Sequence, residues 1–307
     1  MSDFEFIINP RSGVLRNTDA LTQRIQSACV DSGLSFSIHI TERAGHAREL
    51  AEAARNAGAR CVAVAGGDGT INSAACALVG SDVALGVIPS GSGNGLAREL
   101  GIALDPLKAL DQLLSGRTVS VDTGTINGEF FFNMAGIGID ERIGRAFNHF
   151  GKHAVRGQWP YFLLGVKELL LYSPPEMELR IGGQSHKFRP LVMAFANGRQ
   201  HGGGALISPG AKLDDGLLHI TVVEHQSLPY IFTYLPRLFS GRIESVPFVK
   251  TFTATEVEVL SSAELPYHVD GAERGPAKTP FTVRINPAHL KVVIPSDCSS
   301  PSLGAAA

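Results

Sequence analysis

A chain of 307 residues with 44% hydrophobic and 18% charged residues has the make-up of a globular protein and is long enough for two domains. Its formal net charge of −2 excludes the basic excess with which nucleic-acid binders neutralise phosphates, so any anion must be held by local groups. The four cysteines, Cys29, Cys61, Cys76 and Cys298, form no CxxC pair, which points to reduced, buried thiols and away from a disulfide framework or a zinc site.

In chain order, Phe4 to Ile8 (FEFII) predicts a buried strand. Leu21, Ile25, Ala28 and Cys29 then recur at helical spacing behind the capping run Asn17-Thr18-Asp19. A strand follows over Ser35 to Ile40, an alanine-rich helix over Ala44 to Ala57, and a strand over Cys61 to Ala65. Further on come a helix over Thr70 to Leu78, a strand over Ala84 to Ile88 and a helix around Leu107 to Leu114. Strands alternating with helices imply parallel βαβ units.

After Val119 the texture changes to short β-like runs separated by turn residues: Gly124-Ile126, Phe130-Ala135, Glu178-Ile181, Leu191-Ala196, Leu217-Val223, Thr255-Leu260, Thr282-Ile285 and Leu290-Ile294. They predict a β-sandwich or partial barrel, interrupted by an apolar helical segment over Tyr161 to Tyr172. The expected division is an α/β domain over 1–121, a β-sandwich domain over 122–295, and a small, polar tail over 296–307 with too little apolar surface to order itself. The start MSDFEFIINP lacks the basic and apolar regions of a signal peptide, and no run reaches the length of a membrane span. A soluble, cytoplasmic protein is expected.

The stretch VAVAGGDGTINSA, Val62 to Ala74, ends a strand in three glycines around one aspartate, Gly66, Gly67, Asp68 and Gly69. Two similar turns follow other strands of the α/β half: Asn9-Pro10-Arg11-Ser12-Gly13 and Pro89-Ser90-Gly91-Ser92-Gly93-Asn94-Gly95. Each alone reads as a tight turn. Together, at one edge of a parallel sheet, they offer helix-opening N–H groups to a phosphate. A carboxylate at Asp68 would repel that phosphate unless a divalent cation lay between them, so the expected ligands are a nucleoside triphosphate and Mg²⁺. Neither GxxxxGK[ST] nor a dinucleotide fingerprint occurs.

The ordered set NPRSG, GGDGT, IPSGSGN, NMAGIGID, ANGRQHGGG, PGAKLDDGLL and HVDG resembles the diacylglycerol, sphingosine and ceramide lipid-kinase family across nearly the whole chain. The GGDGT element is shared with NAD kinases and phosphofructokinases. The resemblance implies a nucleotide-binding α/β domain, a C-terminal β-sandwich domain and catalysis in a cleft between them, with ATP and Mg²⁺. It implies that Asn9, Arg11, Ser12, Gly13, Gly66, Gly67, Asp68, Gly69, Thr70, Ser92, Gly93 and Asn94 line the nucleotide, with Asp68 facing the metal. It assigns the general base to Asp270, a lipid-headgroup contact to Asp140, and a structural Mg²⁺ to Asp215 with the carbonyls of Lys212 and Leu217. On the residues alone, Asp270-Gly271 also reads as a hairpin turn, and Asp140 equally as a helix cap.

Three departures from the family pattern stand out. Ser73 replaces the glutamate that usually follows GGDGTxN, the DGE element is lengthened to Asp270-Gly271-Ala272-Glu273, and Gly95 stands where diacylglycerol-type members commonly carry aspartate. The last feature is nearer the sphingosine and ceramide branch. The expected activity is ATP-dependent phosphorylation of a lipid hydroxyl at a membrane surface, through reversible contact at an apolar rim around Trp159, Pro160, Tyr161 and Phe162. No nucleic-acid partner is expected, and the sequence leaves room for a homodimer. Two rival readings are an NAD-kinase-like kinase of a soluble hydroxyl and a non-catalytic nucleotide or lipid sensor.

Overall fold

The computed structural model describes residues 2–13, 18–138, 173–202, 205–298, 300 and 302–304. The chain forms two compact units, one of Met1–Thr123, Lys212–Gly216 and Asn286–Ala307, the other of Gly124–Ala211 and Leu217–Ile285. The chain passes between them beside Asp122, where the change of texture lies, but both units are discontinuous in sequence.

In the first unit the strands β1 (Phe4–Ile8), β2 (Phe36–Ile40), β3 (Cys61–Gly66) and β4 (Ala84–Pro89) form a parallel sheet in the order β2-β1-β3-β4. The C-terminal part of the last strand of the chain lies parallel beside β4, with Val292 opposite Leu85. Every residue of β3 and β4 is buried, which is why both read as unbroken apolar runs and not as alternating ones. Helices α1 (Thr18–Asp31), α2 (His46–Asn56), α3 (Asp68–Leu78), α4 (Gly95–Glu99) and α5 (Pro106–Leu114) connect the strands. The apolar stripe of α1, Leu21, Ile25, Ala28 and Cys29, is buried as its spacing predicts. The start of α5 is set by Asp105, whose side chain accepts from the N–H groups of Leu107 and Lys108, with Pro106 at the first helical position.

The second unit is an antiparallel β-sandwich. One sheet runs β14-β13-β10-β7-β16-β17, where β7 is Met134–Gly138, β10 Pro190–Ala196, β13 Leu218–Glu224, β14 Val249–Ala254, β16 Leu265–Val269 and β17 Ala272–Ala277. The other contains β8 (Met177–Ile181), β9 (Gln184–Phe188), β15 (Glu256–Ser261) and the first half of β18 (Phe281–Ile294). Alternate residues of both sheets, among them Ile220, Phe195, Leu179 and Val259, meet in one buried cluster. Three hairpins close on two-residue turns in which both residues have positive φ, Asn127-Gly128, Gly182-Gly183 and Asp270-Gly271, the backbone that matches the twist of paired strands.

The structure departs from the sequence reading in several elements. The run Phe130-Ala135 is split between β6 (Glu129–Phe131) and β7, because the intervening N–H groups turn onto a side chain described below. The strand β5 (Arg117–Ile126) starts well before Gly124, and Thr282-Ile285 and Leu290-Ile294 are two parts of β18. The helix α6 (Leu228–Phe239) was not anticipated, since Pro229 and Pro236 obscure its pattern. The apolar segment Tyr161 to Tyr172 lies outside the described residues. The four thiols are free as expected, but only Cys29 and Cys61 are buried while Cys76 and Cys298 are half-buried, and burial pushes the Cys61 thiol up to about 12.

The tail expected to be unstructured is instead docked on the first unit in its described part. The Ser300 hydroxyl donates to the Glu99 carbonyl at 2.6 Å, the Ser302 hydroxyl donates to the Glu99 carboxylate, and the Ser302 carbonyl accepts from the Leu213 N–H at 2.7 Å. Small polar residues are ordered here by what they satisfy. Glu99 is buried, and the serines supply donors that its carboxylate and the end of α4 require.

Gly124 pairs with Phe131 across the β5–β6 hairpin, and a Cβ at Gly124 would sit 1.9 Å from the fully buried Phe131 ring. Gly124→Ala is therefore expected to destabilise the protein by about 1–3 kcal/mol through overpacking. A thermal melt checks this; an unchanged transition would contradict the close packing.

Candidate functional site

Three loops leave the C-terminal ends of β1, β3 and β4 and are tied to one another side chain by side chain. Asn9, the residue after β1, donates through Nδ2 to the Thr70 hydroxyl at 2.8 Å, and its Oδ1 accepts from the Arg11 N–H at 3.0 Å. The Ser12 hydroxyl meets the buried Ser90 hydroxyl at 2.9 Å. Gly13 takes φ +27°, with its Cα hydrogens facing the Ser90 carbonyl. The first loop is thereby fastened to both of the others.

Gly66 ends β3, Gly67 caps α3 in extended conformation, and Asp68 is the first helical residue. The Asp68 carboxylate reaches the third loop, accepting from the Asn94 N–H through Oδ2 at 2.8 Å and from the Gly95 N–H through Oδ1 at 2.7 Å. It thus caps α4 from 26 residues away. Within the third loop, buried Asn94 adopts the left-handed conformation at φ 54°, and its amide pairs with both polar groups of the Gly91 peptide, at 3.0 and 2.8 Å. Arg98 donates to the Gly93 carbonyl at 3.1 Å.

The second and third loops touch through backbone. A Cβ on Gly91 would lie 2.7 Å from the Gly67 Cα, so the spacing depends on Gly91 having no side chain. Buried struts and exposed crests are cleanly separated: Ser90 and Asn94 are inside, while Arg11, Gly13, Gly69, Ser92 and Gly93 are exposed. The result is an exposed, glycine-lined surface at the mouth of a parallel sheet, bordered by the opening turns of α3 and α4. The first N–H groups of α3 have no acceptor within their own helix and its dipole is positive there, a setting that suits an anion, whereas the opening N–H groups of α4 are taken by Asp68.

In the second unit Asp270 and Gly271 form the two-residue turn between β16 and β17, as the bland reading of that dipeptide holds. The Asp270 side chain has a further part. Its Oδ2 accepts from the Phe132 N–H and its Oδ1 from the N–H groups of Asn133 and Met134, each at 2.9 Å. The Asp270 N–H donates to the Met134 carbonyl at 2.8 Å. The motif segments NMAGIG and HVDG therefore meet. Asp140 lies outside the described residues, as does the segment around Trp159.

Asp215 sits on the turn Lys212–Gly216, which is pinned by a carboxylate that the sequence did not flag. Buried Asp122 accepts from the Gly216 and Ala288 N–H groups, both at 2.7 Å. Burial, partly offset by those two donors, holds the Asp122 carboxyl above the usual carboxylate range, with Asp215 and Asp214 adding like charge. Among the described residues, no three His, Cys, Asp or Glu side chains gather in a cluster able to hold a metal. Sequence reasoning also missed Ser90, Asn197 and the donors at 132–134; their motif segments carried the resemblance without carrying a role.

The diacylglycerol kinase catalytic domain family matches residues 3–126, and the family described as the YegS C-terminal NAD kinase beta sandwich-like domain matches residues 133–294. The chain belongs to this family of lipid kinases. Over 273 residues it is 33% identical to a Klebsiella pneumoniae protein named "Probable lipid kinase YegS-like", spanning 87% of this chain and 89% of that one. Over 261 residues it is 33% identical to a protein of Mycobacterium tuberculosis named "Diacylglycerol kinase", spanning 81% of each. A solved structure described as a diacylglycerol kinase from Bacillus anthracis superposes with a TM-score of 0.73 at 20% identity, covering 95% of this chain and 97% of that one, and so shares the fold. Lipid kinases of this family are phosphotransferases with an alcohol group as acceptor.

Gly91→Ala is expected to push the second and third loops apart and to weaken Mg·ATP binding at least tenfold, about 1.4 kcal/mol, while the far-UV circular dichroism stays unchanged. Calorimetric titration with ATP checks it. Undiminished affinity would show that the Gly67–Gly91 approach does not shape a site for ATP.

Proposed function

We propose that this lipid kinase transfers the γ-phosphoryl group of ATP to the hydroxyl of a membrane-derived lipid of the diacylglycerol, sphingosine or ceramide class. The observation that carries this reading is the clasp of Asp68 on Asn94 and Gly95, which joins two glycine-rich loops into one surface. Phosphoryl transfer asks chiefly for positioning and for neutralisation of charge spread over the phosphate oxygens. Backbone N–H groups of the three loops supply the second without reorganising, and Arg11 adds a cation on an exposed crest.

Each Asp68 oxygen accepts one N–H and has a second lone pair to offer a cation, which fits Mg²⁺, an ion that keeps several waters and shares phosphate oxygens instead of requiring an all-protein cage. Asp68 would hold that ion, and when bound the ion supplies neutralisation of the phosphates. Asn9, Ser12, Gly13, Gly66, Gly67, Gly69, Thr70, Ser92, Gly93 and Asn94 would shape the rest of the nucleotide surface. Asp215, with the Lys212 and Leu217 carbonyls, would hold a second, structural Mg²⁺. The like charges of Asp214 and Asp215 on Asp122 make that turn receptive to a cation.

Asp270 is the proposed proton acceptor for the lipid hydroxyl. Three N–H donors fix its place. So held, its larger task is to orient the hydroxyl, which suffices for a loose transition state that builds up little charge on the nucleophile. Asp140 would meet the lipid headgroup. No helix among the described residues is long and apolar enough to cross a membrane, and we assign a peripheral, reversible contact through the rim around Trp159.

Incubation with labelled ATP and a vesicle panel of diacylglycerol, sphingosine and ceramide tests the reading. Labelled lipid is expected with one of them, and Asp68→Ala is expected to lower kcat at least 10²-fold. Part of that loss comes from release of the third loop, so Asp68→Ala also weakens ATP binding. Tight ATP binding with no lipid product would favour a nucleotide sensor, and phosphorylation of soluble hydroxyl compounds alone would favour an NAD-kinase-like activity.

A further inference from the structure

The segment Phe132–Met134 presents its N–H groups to Asp270, and the carbonyl groups of Phe132 and Asn133 face a loop on the other side. Asn197, fully buried, donates from Nδ2 to the Phe132 carbonyl at 2.8 Å. The Asn133 carbonyl accepts from the N–H groups of Asn197 and Gly198, both at 2.9 Å. The Asn133 side chain adds a strut by donating to the Gln200 carbonyl at 3.0 Å. Two peptide groups are thus gripped at their oxygens by the Asn197–Gln200 loop while their hydrogens point at one carboxylate. Hydrogen bonds accepted at a peptide oxygen polarise that peptide's N–H, so the two sides reinforce each other.

We propose that Asn197 is a positioning residue of the phosphoryl transfer, setting the place of the Asp270 carboxylate through the Phe132–Met134 segment it holds. The break between β6 and β7 has its explanation here. Continued pairing would spend the donors of Phe132 and Asn133 on a neighbouring strand, whereas the buried amide of Asn197 and its loop hold the segment out of pairing and aimed at Asp270. A side chain with no donor at residue 197 would leave the Phe132 carbonyl buried without its partner, and the segment would shift to find another. Shifts of about 1 Å in a positioned catalytic group cost on the order of 10²-fold in rate. The inference rests on the reading of Asp270 as the group that meets the lipid hydroxyl.

The experiment joins hydrogen exchange to kinetics on the full chain. In Asn197→Ala, exchange at the Phe132, Asn133 and Met134 amides is expected to rise at least tenfold, with exchange in β3 and β4 unchanged. The kcat for lipid is expected to fall about 10- to 100-fold with the KM for ATP within twofold of wild type. In the Asp270→Asn background the same substitution is expected to cost less than threefold more, because the carboxylate through which it acts is gone. Unchanged exchange at 132–134, or a full additional loss on top of Asp270→Asn, would overturn the assignment of Asn197. Raised exchange with wild-type kcat in both single variants would instead overturn the reading of Asp270 and with it the catalytic meaning of the grip. If Asn197→Ala does not accumulate folded, Asn133→Ala removes the Gln200 strut and is read by the same three measurements and the same outcomes.

Discussion

The first unit depends on one carboxylate placed between two strand ends. Asp68 opens α3 and at the same time accepts the first N–H groups of α4, so the loops after β3 and β4 cannot move independently. Hydrogen bonds to a charged partner contribute about 1.5–3 kcal/mol each, several times thermal energy and enough to hold short, glycine-rich chain in one shape. Around this join the other ties are neutral and smaller: Asn9 on Thr70, Ser12 on Ser90, and the Asn94 amide on the Gly91 peptide. Glycine supplies loops that approach within backbone contact, and Asp68 supplies the reason they stay there.

The same device recurs. Asp122 holds the turn at Gly216 and the bend at Ala288, and Asp270 gathers three consecutive N–H groups. In each case a carboxylate satisfies backbone donors that regular pairing leaves over, and in each case the chain segments joined are far apart in sequence. The costs differ with surroundings. For Asp122 burial outweighs its two donors and raises the carboxyl, so its ionisation draws on stability as pH climbs through the window above the ordinary value of 3.8. A group raised in this way serves architecture, and it anchors the turn that carries Asp215.

What could be read from the amino acids follows the range of each signal. The parallel sheet was legible because β3 and β4 are apolar without interruption and because α1 repeats its buried residues at helical spacing, both local patterns. The Asp270-Gly271 turn was legible because few dipeptides accept two positive φ values. The lipid-kinase family was legible in the order of its motifs. The partners of Asp68 and Asp270 were not, since their donors lie 26 or more residues away and periodicity reports nothing over that distance. Neither was the order of the tail. Serines read as solvent-exposed chain until the buried Glu99 that needs their hydroxyls is seen. The helix over Leu228–Phe239 was hidden by two prolines, one at its tolerant first turn and one near its end.

We propose that the three loops of the first unit form a single anion-binding surface organised by Asp68. Titrating the ¹⁵N-labelled protein with Mg·ATP and following the backbone amides tests it directly. The N–H resonances of Arg11 to Gly13, Gly67 to Thr70 and Gly91 to Gly95 are expected to move together with one binding constant. In Asp68→Ala the three groups should lose that common response. Nucleotide-dependent shifts confined to one loop, or appearing only in the β-sandwich unit, would contradict it.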